Sequence, residues 1–343
     1  MRCPVRTNAS RTRPETSAKN PSRRSRSATP DLARPGRQST RSRETKKRSR
    51  ADVPELPEVE AARRGIHDQL RGRTIVGIEL LRPGLVQSEA GLTIDLLQDQ
   101  SIDDTSRHGK YMVWHTEPMA LVVHMKMTGQ FVARGDGIPG FVSGHPVPAY
   151  DTELPHKSTH LILDFEGEAR LYFTDIRHFG RIWLVPHDDL ADHMARLRLG
   201  PDLLSDAFTL EALRDRLRRR SIGRIKPILL DQTTVAGLGN IYVDEVLWYA
   251  KIHPSRTAES LTDAEIDRIY EGIVETMKIA VPEGGAKINR SKALTDLGQF
   301  PFIHAREGFP CQHCGATITK TKVNNRGTYL CLDCQPERGR LSS

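Results

Sequence analysis

The stretch Pro54-Glu55-Leu56-Pro57-Glu58-Val59-Glu60 begins a predicted helix around which the rest of the chain is organised. Its second proline suits a first helical turn, and its glutamates lie where a helix dipole favours negative charge. An apolar stripe follows at helical spacing, formed by Val59, Ala62, Ile66 and Leu70. The pattern predicts an amphipathic helix that ends before Gly72 and packs against a core.

Pro54 is chemically distinctive, because a proline at a chain start is a secondary amine and not an amide. Such an amine can attack a sugar aldehyde carbon and form a charged imine, and a pKa of about 8 leaves part of it unprotonated near neutrality. Glu55 stands beside Pro54, and Glu58 stands four positions after it. The stretch therefore predicts an amine nucleophile with nearby carboxylates, provided that Pro54 is the amino terminus.

Residues 1–53 differ in composition from the rest of the chain. The 343 residues carry a net charge of +8, but residues 1–52 alone hold 16 Lys and Arg against 4 Asp and Glu. Few large apolar side chains are present there, so we expect this segment to be disordered. It can be a nucleic-acid-binding arm, an Arg- and Ser-rich targeting peptide, or a stretch upstream of the true start. We favour the third interpretation, in which Val53 is encoded by a start codon and its removal exposes Pro54.

The bulk composition restricts the class of protein. The length allows two or three domains. No run of 18 apolar residues occurs, so a membrane-spanning helix is not expected. Four of the five cysteines form two C-x-x-C pairs, which favours metal binding in a reducing compartment over disulfides. We therefore expect a cytoplasmic protein.

Residues 73–185 alternate apolar and polar side chains over short, β-branched stretches with turn residues between them. This pattern predicts an antiparallel sandwich or barrel. The predicted strands are residues 74–80, 111–115, 120–124, 160–165, 169–174 and 181–185.

Three loops of this region hold candidate binding residues. Lys110 follows a glycine at the start of a predicted strand, where a lone lysine is more often a solvated charge. Met127 lies in the loop 124–129, and Arg177 and Phe179 lie in the loop 175–180. Taken alone, Met127 and Phe179 would be assigned to the core.

Residues 207–300 read as a helical region after a proline-flanked linker at 187–206. Two apolar helices are separated by Val-Ala-Gly-Leu-Gly-Asn at residues 235–240, where Gly237 and Gly239 allow a close backbone approach. The second helix would offer its first amides to a phosphate, and the alternative is a plain helical hairpin. A further helix is predicted over 262–280, followed by a loop over 283–309.

The last motif is a pair of C-x-x-C sequences separated by sixteen residues, with Cys311, Cys314, Cys331 and Cys334. Four thiolates at this spacing can surround one tetrahedral Zn²⁺, with a β-hairpin between the pairs. Four protein ligands leave no open position for a reacting water, so the predicted zinc is structural. Arg326 is one of the cationic residues of this hairpin.

From Pro54 to about Cys334 the chain resembles the bacterial formamidopyrimidine-DNA glycosylase family, whose mature chains begin with the same Pro-Glu-Leu-Pro-Glu-Val-Glu run. The resemblance implies an α+β fold: an N-terminal antiparallel β-sandwich with flanking helices (54–186), a linker (187–206), a helical domain with a helix–two-turn–helix (207–300) and a β-hairpin zinc finger (301–343). Two departures are visible. Lys126 stands where the family usually has glycine, and residues 283–309, whose counterpart closes over the extruded base, are shorter and match poorly.

The resemblance also assigns roles to single residues. Pro54, Glu55, Glu58 and Lys110 would be catalytic, with Pro54 attacking C1′, Glu55 transferring a proton, Glu58 ordering the site and Lys110 touching the phosphate of the damaged nucleotide. Lys226, Asn240 and Arg326 would bind phosphates. Met127, Arg177 and Phe179 would fill the hole left by an extruded nucleotide, which compensates an unstacking cost of a few kcal/mol.

The implied function is a bifunctional glycosylase and lyase of base-excision repair that removes 8-oxoguanine and formamidopyrimidines from damaged double-stranded DNA, as a monomer associated with the nucleoid. A sister specificity for oxidised pyrimidines stays open, although Leu56 and Val59 favour the purine branch. A non-catalytic DNA-binding protein also stays open, since retention of residues 1–53 would leave Pro54 as an amide.

Overall fold

The computed structural model describes residues 54–88, 90–146, 148–286 and 298–337, which belong to one compact unit. The predictions made for residues 1–53 lie outside the described residues, as does the part of the predicted loop at 287–297. None of the described helices is long and apolar enough to cross a bilayer.

Helix α1 (Leu56–Leu70) begins after Glu55, whose extended backbone forms the N-cap. The predicted apolar stripe is buried in the core between the β-sheets. Leu56, on the first turn, packs instead among the apolar side chains of the helical region. The start of α1 therefore lies where the two cores meet.

The β-region consists of two five-stranded sheets with the orders β1-β8-β9-β6-β7 and β2-β10-β5-β4-β3. Neighbouring strands are antiparallel except for the parallel pair β2 and β10, so the predicted sandwich is confirmed with one parallel pairing that the sequence did not indicate. The strands are β1 (Ile75–Leu80), β2 (Val86–Ser88), β3 (Asp104–His108), β4 (Tyr111–His115), β5 (Ala120–His124), β6 (Gly129–Arg134), β7 (Phe141–Gly144), β8 (Thr159–Phe165), β9 (Arg170–Asp175) and β10 (Arg181–Val185).

Four of these strands were absent from the sequence prediction. Three of them, β2, β3 and β7, lie at sheet edges, where one side of a strand is unpaired and the apolar alternation is weak. The fourth, β6, is central but begins with glycine and carries the buried polar side chain of Gln130. Burial on both faces removes the period of two on which the prediction depends.

The helical region has its own apolar core and continues into the zinc hairpin. Helix α2 (Leu190–Arg196) lies in the linker and packs against the sandwich. The elements of the helical region are α3 (Leu210–Arg218), α4 (Ile225–Leu230), α5 (Asn240–Tyr249) and α6 (Asp263–Ala280), followed by β11 (Thr319–Val323) and β12 (Arg326–Leu330). Helix α5 begins at Asn240, the last residue of the segment 235–240 that was predicted to separate the two helices, because the extended backbone of Gly239 provides its N-cap. The described residues of the predicted loop at 283–309 contain no helix or strand.

Candidate active site and DNA-binding surface

The segment from Pro54 to Leu56 is pressed against the turn that precedes α5. The Leu56 amide donates to the Gly237 carbonyl at 3.1 Å. A Cβ atom at Gly237 would lie 2.4 Å from Leu56 Cδ1, and one at Gly239 would lie 2.1 Å from the carboxyl carbon of Glu55. The two glycines, predicted to let a partner approach, therefore allow the close approach of the chain's own segment Pro54–Leu56.

Glu55 is 1 % exposed and points its carboxylate at the amino terminus of α5. Its oxygens accept from the amides of Ile241 at 3.0 Å and Tyr242 at 3.5 Å. Burial raises the pKa of Glu55 to about 7, although the charge of Lys110 lowers it. A carboxyl group with this pKa holds a proton for part of the time near neutrality and can therefore act as a general acid.

Glu58 is buried one helical turn further along and organises the backbone around it. One carboxylate oxygen accepts from the Glu55 amide at 2.9 Å. The other accepts from the Tyr242 hydroxyl at 2.7 Å and the Ala286 amide at 3.0 Å. Burial raises the pKa of Glu58, against the hydrogen bonds from Tyr242 and Glu55. Glu58 thus ties the start of α1 to α5 and to the residues after α6.

Lys110 lies in the turn between β3 and β4, at the start of a strand as predicted, and its side chain reaches the helical region. Its Nζ donates to the Leu238 carbonyl at 2.8 Å. Burial lowers the pKa of Lys110, while the carboxylates of Glu55 and Glu58 oppose this and the charge of Arg326 adds to it. The lysine, both carboxylates and the hairpin arginine therefore act on one another electrostatically, although they come from distant parts of the sequence.

An ion-pair network that the sequence did not reveal holds the Lys110 turn. Arg107 donates to Glu60 on α1 at 3.1 Å and, through both terminal nitrogens, to Asp202 of the linker. The Gly109 amide donates to the same Asp202 carboxylate at 2.6 Å. The Arg107 and Asp202 side chains are nearly buried, so the linker contributes directly to the position of Lys110.

Glu60 shows what the same network does to a carboxylate. It accepts hydrogen bonds from Arg63, Arg64 and Arg107. Burial alone would raise its pKa, but the hydrogen bonds from Arg63 and Arg64, followed by those from Arg107, lower it to about 2. Its contacts reach beyond α1, so Glu60 does more than complement the helix dipole.

The three residues expected to fill the hole left by an extruded nucleotide lie on neighbouring loops of the sandwich. Phe179 is 44 % exposed and Met127 is half-buried, so Phe179 at least does not belong to the core. The exposed Arg177 places its guanidinium carbon 5.0 Å from the centroid of the Phe179 ring. Buried Asp175 fixes this loop by accepting from the Thr128 hydroxyl and from the amides of residues 177 and 180.

Lys126 has a backbone φ of +55°, in the left-handed region that glycine adopts most readily. The loop 124–129 therefore has a turn of the kind that favours glycine immediately before Met127, although a lysine occupies it.

The predicted phosphate-binding residues are placed differently from one another. Arg326 is exposed at the start of β12. Asn240 begins α5, and its Nδ2 donates to the Gly327 carbonyl at 3.1 Å. Lys226 is fully buried, and its ammonium group donates to Asp244 Oδ1 at 2.6 Å, Thr328 Oγ1 at 2.9 Å and the same Gly327 carbonyl at 3.1 Å. All three of its donors are used in this arrangement, so its phosphate contact stays a prediction.

Sequence reasoning missed the carboxylates that attach the zinc hairpin to α5. Asp244 binds Lys226 with one oxygen, and with the other it accepts from the Tyr329 amide at 3.2 Å and contacts the His304 ring at 2.8 Å. Glu245 accepts from the three consecutive amides of residues 302–304. The available signal was an acidic pair inside the otherwise apolar helix Asn240–Tyr249.

The four predicted zinc ligands come together at the base of the hairpin. Their Sγ atoms all lie within 4.8 Å of one another, with Cys311 and Cys334 3.8 Å apart and Cys314 and Cys331 3.4 Å apart. Tetrahedral zinc with bonds of about 2.3 Å requires sulfur separations of about 3.8 Å. The Trp248 indole nitrogen donates to Cys311 Sγ at 3.3 Å. The arrangement fits a structural zinc ion.

Comparison with known proteins agrees with this geometry. Residues 53–182 match the formamidopyrimidine-DNA glycosylase N-terminal domain, residues 199–292 match the H2TH domain of the same enzymes, and residues 308–336 match the zinc finger found in FPG and IleRS. The formamidopyrimidine-DNA glycosylase of Pelotomaculum thermopropionicum is 39 % identical over 289 residues, which covers 82 % of this chain and 99 % of that protein.

Solved structures are similar over the same part of the chain. A variant of the Lactococcus lactis FPG protein in complex with Fapy-dG containing DNA is 33 % identical, with a TM-score of 0.71, over 82 % of this chain and all of that one. MutM in complex with carbocyclic 8-oxo-G containing DNA has the same identity, TM-score and coverage. The chain therefore belongs to the formamidopyrimidine-DNA glycosylase family and is a DNA glycosylase of base-excision repair with a structural zinc ion.

Proposed function

We propose that this chain, in a form that begins at Pro54, removes oxidised purines from double-stranded DNA and then cleaves the DNA backbone at the resulting site. The observation that carries the proposal is the buried carboxyl of Glu55, directly after Pro54, with a pKa raised to about 7. The DNA bound by similar proteins contains Fapy-dG or 8-oxo-G, which supports oxidised purines as the substrates.

The reaction begins when the Pro54 amine attacks C1′ of the extruded nucleotide. The bond from C1′ to the base breaks, and the base leaves with the bonding electrons and takes up the proton that the Pro54 amine loses. Glu55 gives its proton to the sugar ring oxygen as the ring opens, and the nitrogen and C1′ form an iminium ion. General acid assistance of this kind contributes about a hundred- to ten-thousand-fold in rate.

The lyase steps follow from the positive charge of the iminium ion, which acidifies the 2′ proton. Loss of that proton expels the 3′ phosphate, and a second elimination expels the 5′ phosphate, so that both sides of the lesion are cut. Lys110 holds the phosphate of the damaged nucleotide, and Glu58 keeps the Glu55 backbone in place through its hydrogen bond to the amide. Arg326 and Asn240 bind neighbouring phosphates, which position the duplex without reading its sequence.

Borohydride trapping on a duplex with a single 8-oxoguanine tests the proposal. Borohydride reduces the iminium ion to a stable amine, so the form that begins at Pro54 should become covalently attached to the DNA strand. The matched control is the same chain with residues 1–53 retained, in which Pro54 is an amide without a nucleophilic lone pair.

Pro54→Gly provides a second control, since the primary amine of glycine should replace the proline only weakly. An undiminished covalent complex in the retained-extension chain or in Pro54→Gly would mean that another amine performs the chemistry. Faster release of an oxidised pyrimidine than of 8-oxoguanine would assign the chain to the sister specificity.

We also infer that the enzyme works as a monomer in the cytoplasm, at the nucleoid, because its substrate is chromosomal DNA. The proposed site is assembled from residues of a single chain. A mass measured in solution at twice the chain mass would contradict the monomer.

A further inference from the structure

Two cations at one corner of the sandwich, Lys126 and Arg181, have no role in the chemistry described above. Arg181 on β10 pairs directly with His124 on β5, and the same register places Tyr111 of β4 on the other side of His124. Side chains opposite one another across neighbouring strands point to the same face of a sheet. The ring centroids of Tyr111 and His124 are indeed only 4.5 Å apart, in an edge-on arrangement.

Lys126 and Lys110 complete this corner. Lys126 Nζ lies 6.0 Å from the centroid of the Tyr111 ring, and Lys110 directly precedes Tyr111 in the chain. Burial lowers the pKa of Lys126, and the charge of Arg181 lowers it further, so the two cations repel each other. Lys126 and Arg181 are partly exposed, so a ligand can reach them.

The charges of Lys126 and Arg181 are not compensated by acidic residues within the described ranges. Neither forms an ion pair, and the Arg181 guanidinium donates only to backbone carbonyls, at 2.7 Å to Gly180 and 3.2 Å to His178. The neighbouring His124 does not neutralise these charges, since an imidazole ring is never an anion here. Its Nδ1 accepts from the Lys126 amide at 2.8 Å. Burial, followed by the charges of Lys126 and Lys110, lowers the pKa of the ring.

Lys126 also occupies a position that does not suit a lysine for backbone reasons. Its φ of +55° is a conformation that residues with a Cβ adopt at an energetic cost and that is enriched at active sites and ligand-binding loops. Compared with glycine, a lysine at this position adds a long side chain and its positive charge. A cost in backbone energy together with an uncompensated charge indicates an anionic ligand outside the protein.

We propose that Lys126 and Arg181 form a second phosphate-binding site beside Lys110, which holds a phosphodiester of the bound DNA strand and fixes the loop that carries Met127. The proposal goes beyond the assigned phosphate contacts and rests on DNA as the partner. It does not depend on the imine chemistry of Pro54.

The test is the salt dependence of binding to a duplex with a tetrahydrofuran abasic analogue, which cannot form an imine. The full chain is measured by fluorescence anisotropy between 50 and 200 mM KCl. The plot of log Kobs against log salt should be shallower by about 0.9 for Lys126→Gly and for Arg181→Gln, and by about 1.8 for the double variant. Each lost contact makes the decrease in affinity across this range about threefold smaller.

Lys251→Gly is the matched control, because Lys251 also has a left-handed backbone, with φ +57°, and is exposed at the other end of α5 from Asn240. The same charge and the same side chain are removed, so its slope should equal that of the unchanged protein. The melting temperature of Lys126→Gly should not fall, since glycine relieves the strained backbone. Equal slopes for Lys126→Gly and Lys251→Gly would overturn the proposal, even if borohydride trapping succeeds.

Discussion

Two buried carboxylates at the start of α1 have pKa values that are shifted in opposite directions. Glu55 faces the amino terminus of α5 and has its pKa raised to about 7 by burial. Glu60, five residues later, is also buried, but the hydrogen bonds from three arginines outweigh burial and lower its pKa to about 2. The difference shows that burial alone does not determine the charge of a carboxylate. The cations that hydrogen-bond to the carboxylate also contribute.

The largest expected effect is on the rate of base release, which should depend on Glu55 and much less on Glu60. Glu55→Gln should slow release of 8-oxoguanine by about a hundred- to ten-thousand-fold, because the amide cannot transfer a proton. Glu60→Gln should retain most of the activity, since Glu60 is hydrogen-bonded to arginines throughout. Single-turnover rates of base release, measured with excess enzyme, make this comparison. Equal losses in the two variants would show that Glu55 acts only through the structure.

The next effect concerns the free energy of unfolding, for which we expect the larger loss in Glu60→Gln and the smaller one in Glu55→Gln. Glu60→Gln should lower the free energy of unfolding at pH 7 by about 1.5–3 kcal/mol, because it removes charge-assisted hydrogen bonds and leaves part of the nearly buried Arg107 guanidinium uncompensated. Glu55→Gln should cost less or even stabilise, since it removes a carboxylate whose ionisation burial opposes. Urea unfolding of both variants decides this, and a more stable Glu60→Gln variant would contradict the ion-pair network.

The smallest effect is a difference in pH dependence. Between the unfolded value of 4.5 and about 7, folded Glu55 holds a proton that the unfolded chain has lost, so its contribution to stability falls as the pH rises through this window. Glu60 binds its proton less tightly in the folded state, so its contribution is complete above 4.5 and is lost as the pH falls towards 2.

Across each pH window the free energy of unfolding should change by about 1–3 kcal/mol. Glu55→Gln should flatten the upper window and leave the lower one, and Glu60→Gln should do the reverse. Unfolding free energies measured from pH 2 to pH 8 test this, and a flattening of the same window in both variants would contradict the comparison.

Local patterns were sufficient where a feature depends on neighbours in sequence. The paired cysteines, the apolar stripe of α1 and the helix Asp263–Ala280 were all predicted and are found. Central strands with clear boundaries, such as Tyr111–His115, were predicted to the residue, whereas edge strands such as Asp104–His108 were not. An edge strand is defined by a pairing partner, which the alternation of its own side chains does not show.

The candidate site was predicted less completely. Motifs identified Glu55 and Lys110 as site residues, but not the contact of Glu55 with α5 or of Lys110 with Leu238. Lys226 was assigned to phosphate from its position in the helix–two-turn–helix, and the sequence did not indicate the buried contact of its ammonium group with Asp244. Its phosphate contact stays a prediction. The charged pair Arg107 and Asp202 carried no sequence signal, since 95 residues separate them.

The sequence by itself determined the kinds of group present: a proline followed by glutamates, glycines where two backbones meet, cationic loops and four zinc-binding thiols. Only the tertiary structure decided which carboxylate is hydrogen-bonded to several arginines and which is buried without such bonds, and so which one can carry a proton near neutrality. The physical reason is that electrostatic interaction and desolvation depend on distance in space and on burial. Both quantities arise only when α1, the linker and α5 are packed together.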